Sequence, residues 1–329
     1  MSFQNCKIRG IGVNPISYHG DKPFERGNPA YVISPSTLRE IGHCPARWLA
    51  GYEPPPSEAK EWGSLLDCLV LTPGDFDARY AVRPLTFPDA KGQPSTSGNT
   101  TACKAWVAEQ EEAGREIVKA DDLAEVKKAI AKIHADDILH RFLQASDKQV
   151  WVVGEWLDEK TGLVIPCQCL IDLVPRKDSE FAQSAGDLKS TRSAAPFVFE
   201  SFSRQRGYHV QAAFDLDILN AATGEERDTW CFVLSENYPP YQTGRMICEL
   251  VKVNIGRQLY RLHLGRYAQC LKTGVWPDYQ AGPGTIQGWS IDHASKLDEM
   301  ELVRVTEGAS FSAEDGTESV PDDEGEVLP

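Results

Sequence analysis

The 329-residue chain has no apolar run approaching the roughly 20 residues that a membrane-spanning helix needs, which excludes that class of integral membrane protein. Its opening, Met1-Ser2-Phe3-Gln4, lacks the basic-then-apolar pattern of a secretory leader, so none is expected. There is no CxxC pair among the nine cysteines. Spread from Cys6 to Cys270, they read as reduced, cytosolic thiols rather than as a disulfide framework or cluster site. The one close pair, Cys167 and Cys169, would share one face of a strand. No internal repeat is visible. Positive charge is also in short supply, with 34 Lys and Arg against 48 Asp and Glu and a net charge of −14, a balance that argues against a polyanionic partner.

Where that charge lies softens the objection. Between Thr306 and Pro329 stand Glu307, Glu314, Asp315, Glu318, Asp322, Asp323, Glu324 and Glu326 without a single Lys or Arg, so more than half of the net charge belongs to the tail. Rich in Ser, Gly and Pro and poor in large apolar groups, this tail is expected to be disordered. Its plain role is solubility; a sharper one is to mimic a polyanion and compete for a positive groove. The length exceeds the roughly 100–200 residues of an ordinary domain, which predicts one elaborated domain with an appendage.

Periodicity outlines the elements. Ser34-Pro35-Ser36-Thr37 supplies cap residues for a helix reaching about Tyr52, with Leu38, Ile41, Trp48 and Leu49 at helical spacing and Pro54-Pro55-Pro56 ending it. A second helix over 57–71 carries the stripe Trp62, Leu65, Leu66, Leu69 and Val70, with Asp67 inside it. Residues 84–101 read as a Pro-, Gly- and Ser-rich surface loop, followed by amphipathic helices near 102–117 and 121–134; 84–148 is thus a helical insert. Strands from Val150 through Glu155 and over 163–174 flank the turn Asp158-Glu159-Lys160-Thr161-Gly162, and a third strand ends at Thr191, giving a three-stranded antiparallel meander. Two helices near 194–205 and 207–221, a strand over 229–234 and a long helix from about 243 to 272 follow. The last carries Arg245, Lys252, Arg257, Arg261, Arg266 and Lys272, which either line a channel or simply form its solvent face.

Two stretches of the meander carry chemistry. Strand side chains alternate, so in Gly186-Asp187-Leu188-Lys189 the Asp187 and Lys189 groups project to one side and Leu188 into apolar packing. In the strand before it, Gln168, Leu170 and Asp172 share the more polar face. If those faces coincide, two carboxylates and an ammonium converge. Hard carboxylate oxygens suit Mg²⁺, with Mn²⁺ as an alternative, and the ammonium could meet a phosphodiester beside the ion.

The order helix, three-stranded meander, helix, strand, together with Asp172 and Asp187-x-Lys189, resembles the PD-(D/E)xK nuclease superfamily. Ile33-Ser34-Pro35-Ser36-Thr37-Leu38, Cys44-Pro45-Ala46, Trp62-Gly63-Ser64-Leu65-Leu66, Leu69-Val70-Leu71-Thr72-Pro73, Asp187-Leu188-Lys189-Ser190-Thr191, Gly207-Tyr208-His209-Val210-Gln211-Ala212-Ala213 and Gly274-Val275-Trp276-Pro277-Asp278-Tyr279 are similar to exodeoxyribonuclease VIII-type (RecE-like) phage exonucleases. The resemblance covers roughly 31–280. It implies an α/β (α+β), restriction-endonuclease-like core with a mixed central sheet flanked by helices, preceded by an irregular segment (1–30) and followed by a C-terminal segment (281–329). It further implies metal-dependent hydrolysis of double-stranded DNA from its ends, 5′ to 3′, by a homo-oligomer that works beside a single-strand annealing recombinase in phage recombination. A related structure-specific endonuclease and a non-catalytic DNA-end-binding protein remain open readings.

Residue by residue, the resemblance makes Asp172 and Asp187 metal ligands with the backbone carbonyl of Leu188, and Lys189 the group that orients or helps deprotonate the attacking water. Tyr208 and Gln211, at helical spacing i and i+3, match a glutamine-containing helix that faces the active centre. Ser190, Thr191 and Arg192 become phosphate contacts. Asp67 stands where relatives show His, as a further metal ligand or as a surface residue beside its stripe. Glu155 is either another acid near the metal or a plain surface glutamate. Relatives often carry a basic residue before the first aspartate; here Gln168, Leu170 and Ile171 precede it.

Overall fold

In a computed structural model that describes residues 3–20, 24–53, 55 and 57–279, the chain opens with β1 (Phe3–Gly10) and α1 (Pro15–Gly20). Helices α2 (Pro35–His43), α3 (Pro45–Leu49) and α4 (Glu58–Leu71) follow, then α5 (Phe76–Arg79), β2 (Tyr80–Arg83), β3 (Phe87–Pro88), β4 (Pro94–Ser95), α6 (Thr101–Glu112), β5 (Glu116–Lys119), α7 (Ala120–Ala135) and α8 (Asp137–Ala145). The remainder is β6 (Ser146–Leu157), β7 (Val164–Pro175), β8 (Ser184–Thr191), α9 (Pro196–Gln205), α10 (Tyr208–Thr223), β9 (Thr229–Glu236), β10 (Thr243–Cys248) and α11 (Leu250–Thr273). The acidic stretch 306–329 lies outside the described residues.

The main sheet has six strands in the order β1-β6-β7-β8-β9-β10. As expected, β6, β7 and β8 form an antiparallel meander. β9 then runs parallel to β8, placing Asp187 opposite Phe232 and Lys189 opposite Leu234. Parallel neighbours need a long crossover, and α9 and α10 supply it. The mixed sheet flanked by helices is the architecture the sequence led us to expect.

Three local expectations are corrected. The predicted irregular start holds β1, which pairs antiparallel with β6 through shifted registers that blur a period-2 signal. The helix over 35–52 is two helices, because Pro45 removes an amide and forces the preceding Cys44 to extended geometry (φ −162°, ψ 101°), where the Cys44 side chain caps α3. The long helix begins only at Leu250: Thr243–Cys248 instead pairs with β9 as an edge strand. The 84–148 region, besides its helices, contributes β5, which runs parallel to β2.

Helices cover both faces of the sheet. On one, Leu65, Leu66 and Val70 of α4, Val126 and Ile133 of α7, and Leu139, Phe142 and Leu143 of α8 pack with Leu173, Leu188, Cys231 and Val233 of the strands. On the other, Phe3 and Trp156 from strands meet Phe214 of α10 and Tyr260 of α11 in edge and stacked contacts 5.1–5.8 Å apart. α10 and α11 touch backbone to side: a Cβ on Gly256 would lie 2.1 Å from the His209 carbonyl oxygen.

Gly256→Ala should therefore destabilise the fold by about 1–3 kcal/mol or more through overpacking. Gly265→Ala on the same helix, where a Cβ would meet only Asp158 at an ordinary 3.6 Å, should be neutral or stabilising by up to about 1 kcal/mol. Urea unfolding of the two variants checks the pair; equal midpoints would contradict the close approach.

Candidate active site

β7 and β8 are paired at Leu173–Gly186 and at no further residue pair, so they part where Asp172 and Leu188 begin. In the gap the Leu188 amide donates to Asp172 Oδ2 at 2.9 Å in place of a ladder carbonyl. A strand residue directs its N–H and C=O to the same edge, so the Leu188 carbonyl faces the gap as well. Alternation along β8 holds: Leu188 is buried in the α4/α7/α8 core, whereas Asp187 meets Gln211 of α10, whose Nε2 donates to Asp187 Oδ1 at 3.4 Å. Lys189 Nζ is ion-paired with Asp187 Oδ2. Its ammonium also stands 5.0 Å from the centre of the Tyr208 ring, a cation–π contact.

Of these groups, Asp172, Lys189, Tyr208 and Gln211 border a cavity of about 490 Å³, with Asp187 just behind its wall, ion-paired to Lys189. Asp67 of α4, Asp172 of β7, Lys189 of β8 and Gln211 and Asp215 of α10 line it, and α1 and α2 contribute Tyr18, His19, Ser36 and Arg39. Lys60, Arg39, Arg206 and His19 add cationic side chains to the same wall. Carboxylates and cations thus share one cavity, an arrangement suited to a polyanion whose charge must be met at one point.

Crowding among the acids governs their protonation. Burial raises Asp67 to about 7, with Asp187 adding to the shift and Lys189 and Arg79 opposing it. Burial, then the neighbouring Asp187 and Asp67 charges, holds Asp172 well above the usual carboxylate range. Asp215, 1% exposed, is raised in the same way by burial and Asp187, while hydrogen bonds from Gln211 and Cys169 work against the shift. For Lys189, burial favours the neutral amine, but Asp187, Tyr208 and Asp172 outweigh it and the pKa is raised. Lys189 is therefore an ammonium here rather than a ready base.

Asp67, Asp172, Asp187, Leu188, Lys189, Tyr208 and Gln211, all singled out from the sequence, come together at this site. Glu155 does not. It lies six residues further along β6 than Gln149, opposite Pro166 and Gln4, and accepts a 2.6 Å hydrogen bond from Asn5 Nδ2. At roughly 3.3 Å per residue that strand carries it some 20 Å away, and the structure withdraws it from the metal set. Of the three expected phosphate contacts, the structure corrects Thr191. Thr191 is buried, its hydroxyl donating to the Ser193 carbonyl at 3.1 Å. Ser190 is pressed against α4, 2.9 Å from where a Gly63 Cβ would stand. Arg192 is exposed just past β8 and is absent from the cavity wall, its carbonyl accepting from the Tyr238 hydroxyl. Sequence reasoning passed over Gln149 and Asp215. Asp215, an acid one turn after Gln211 and so on the same helix face, left a readable signal; Gln149 left none, since only its tertiary partner marks it.

Among the described residues no three Asp, Glu, His or Cys groups close around one point as a ready-made cage. Mg²⁺ does not require one, since it is commonly held by one or two carboxylates with water and substrate oxygens completing the octahedron. Asp215 Oδ1 is buried without a hydrogen-bond partner, and Asp67, Asp172 and Asp215 line the cavity with Asp187 beside Lys189, so the donor set fits a divalent cation.

Residues 34–285 match the family described as a PDDEXK-like domain of unknown function (DUF3799), and the chain belongs to that family. A solved protein from Eubacterium rectale, provisionally named an exonuclease, superposes with a TM-score of 0.51 at 16% identity, over 82% of this chain and 95% of that one; the likeness is one of fold. The comparison with curated proteins gives no match. No described helix is long and apolar enough to cross a membrane.

The raised carboxylates fix the sign of a pH effect. A folded-state pKa above the unfolded value of about 4 means that stability is fully present below that pH and is lost as pH rises through the folded pKa, about 7 for Asp67. In chelator-treated protein the thermal midpoint should fall across that window, and Asp67→Asn should flatten the fall. A variant whose midpoint tracks the native profile at every pH would contradict the crowding.

Proposed function

We propose that the protein is a metal-dependent exodeoxyribonuclease that hydrolyses phosphodiester bonds from the ends of double-stranded DNA, with 5′ to 3′ polarity. The observation that carries the reading is the convergence of Asp187 and the Leu188 strand edge, by direct contact, with Lys189 and Asp172, which line a cavity that also bears Arg39, Lys60 and Arg206. The polarity, the preference for ends, a homo-oligomeric assembly and a single-strand annealing recombinase as partner in phage recombination rest on the resemblance of the motifs.

Asp172, Asp187 and the Leu188 carbonyl would hold Mg²⁺ or Mn²⁺, with Asp67 at the margin. Such an ion, when bound, supplies Lewis-acid charge for activating water and for the leaving oxygen. The remaining work falls to the chain. Arg39, Lys60 and Arg206 attract and orient the phosphate backbone, a task for which guanidinium and ammonium groups are suited. Lys189, fixed between Asp187 and the Tyr208 ring, offers a donor to charge developing on the reacting phosphate. Gln211 holds Asp187 from the opposite side. Held by Asp187 as an ammonium, Lys189 acts through its charge and its N–H donors.

Linear duplex DNA incubated with Mg²⁺ should release nucleotides, whereas covalently closed circles should persist and chelator should stop the reaction. Asp187→Ala, Asp172→Asn and Lys189→Ala should each slow release by about 10²–10⁴-fold or more. Cutting of closed circles at the same rate would favour an endonuclease, and undiminished release by Asp187→Ala would remove the site from the reaction.

A further inference from the structure

Gln149 occupies the one point in β6 where the chain leaves extended geometry, with φ at +49°. On either side the ladder with β7 is regular, Lys148 opposite Leu173 and Val150 opposite Ile171. In a regular strand successive carbonyls point to opposite edges. Here the carbonyls of Lys148 and Gln149 both turn towards the segment after β1, accepting from the amides of Gly12 at 2.9 Å and Val13 at 3.2 Å. Glycine takes such backbone freely, and residues with a long side chain rarely do. The backbone alone therefore does not account for glutamine at this position.

The side chain does account for it. Gln149 is 3% exposed and lines the cavity, its Nε2 donates to Asp172 Oδ1 at 2.9 Å, and its Oε1 is buried with no hydrogen-bond partner. The other carboxylate oxygen of Asp172 takes the Leu188 amide at 2.9 Å. Each oxygen thus has one lone pair occupied by a fixed N–H donor, and the carboxylate plane is set from two strands at once.

We propose that Gln149 is a positioning residue that orients Asp172 as a metal ligand, leaving its free lone pairs directed into the cavity and presenting the Gln149 Oε1 as an acceptor for a water bound there. The proposal rests on the metal-dependent reading of the site. Partners that orient a ligand in this way are commonly worth about 10–100-fold in metal affinity.

Calorimetric titration of Mn²⁺ into the full-length protein, without DNA, tests it. Gln149→Gly is the informative variant, because glycine preserves the left-handed backbone and its bonds to Gly12 and Val13 while deleting the amide. Gln149→Leu removes the donor at similar size. Both should weaken Mn²⁺ binding by about 10–100-fold, with Gln149→Gly unfolding thermally close to the native protein. Native Mn²⁺ affinity in Gln149→Gly, set against clear binding by the unaltered protein, would overturn the positioning role and leave the metal reading standing. Failure of the unaltered protein to take up Mn²⁺ would overturn both. A Gln149→Leu variant that does not fold leaves the decision with Gln149→Gly.

Discussion

Crowding of like charge in a buried place is the constraint around which the molecule is arranged. Asp67, Asp172 and Asp215 are all raised above the ordinary carboxylate range, first by burial and then by one another or by Asp187. A fold selected for stability alone would not gather Asp67, Asp172, Asp187 and Asp215 in one buried place, since each desolvated charge costs free energy that only a counter-charge returns. The arrangement becomes intelligible when a divalent cation is counted as part of the structure. Without it the acids lean on protons, on Lys189 and on the amides of Gln149, Leu188 and Gln211.

The rest of the fold serves to keep those groups from relaxing apart. Leu188 and Leu173 are locked into the α4/α7/α8 core, so the strand edges on which Asp187 and Asp172 sit cannot rotate towards solvent. On the opposite side α10 is clamped against α11 by the approach at Gly256, which fixes Gln211 and Asp215 over the strands. Between the two layers β7 and β8 diverge. A fully zipped pair would have consumed the Leu188 edge in ladder hydrogen bonds, and the site would be closed. Cations from α2, α4 and the α9–α10 junction then share the wall with the acids, so a chain of strongly negative net charge still sets guanidinium and ammonium groups beside its carboxylates.

Much of this was legible in the order of residues, because the signals were short in range. The period-2 pattern of the meander, the stripe of α4, and the spacing of Asp187 and Lys189 depend on local geometry alone, and they specify β6–β8, α4 and the shared side of the two charged groups. Legibility failed where a distant partner decides. Thr243–Cys248 carries apolar residues that also suit a helix, and it becomes β10 because β9 offers an open edge. Cys44–Pro45 is a local break whose proline was read as part of a longer helix. Glu155 and Asp172 lie on adjacent strands, yet the hairpin register sets Glu155 opposite Pro166. Thr191 belongs to a turn that only the end of β8 defines.

The sequence by itself determined which chemistry was available: two carboxylates and an ammonium at strand spacing, a glutamine on a helix turn, and a family of motifs in a set order. Alternation and helical repeat are properties of a few consecutive residues, so those choices survive without knowledge of the whole. Tertiary structure alone decided which groups meet. The parting of β7 from β8, the left-handed turn that aims Gln149 at Asp172, and the placing of Asp67 and Asp215 in one cavity wall depend on contacts between residues tens of positions or more apart, and no local pattern encodes them.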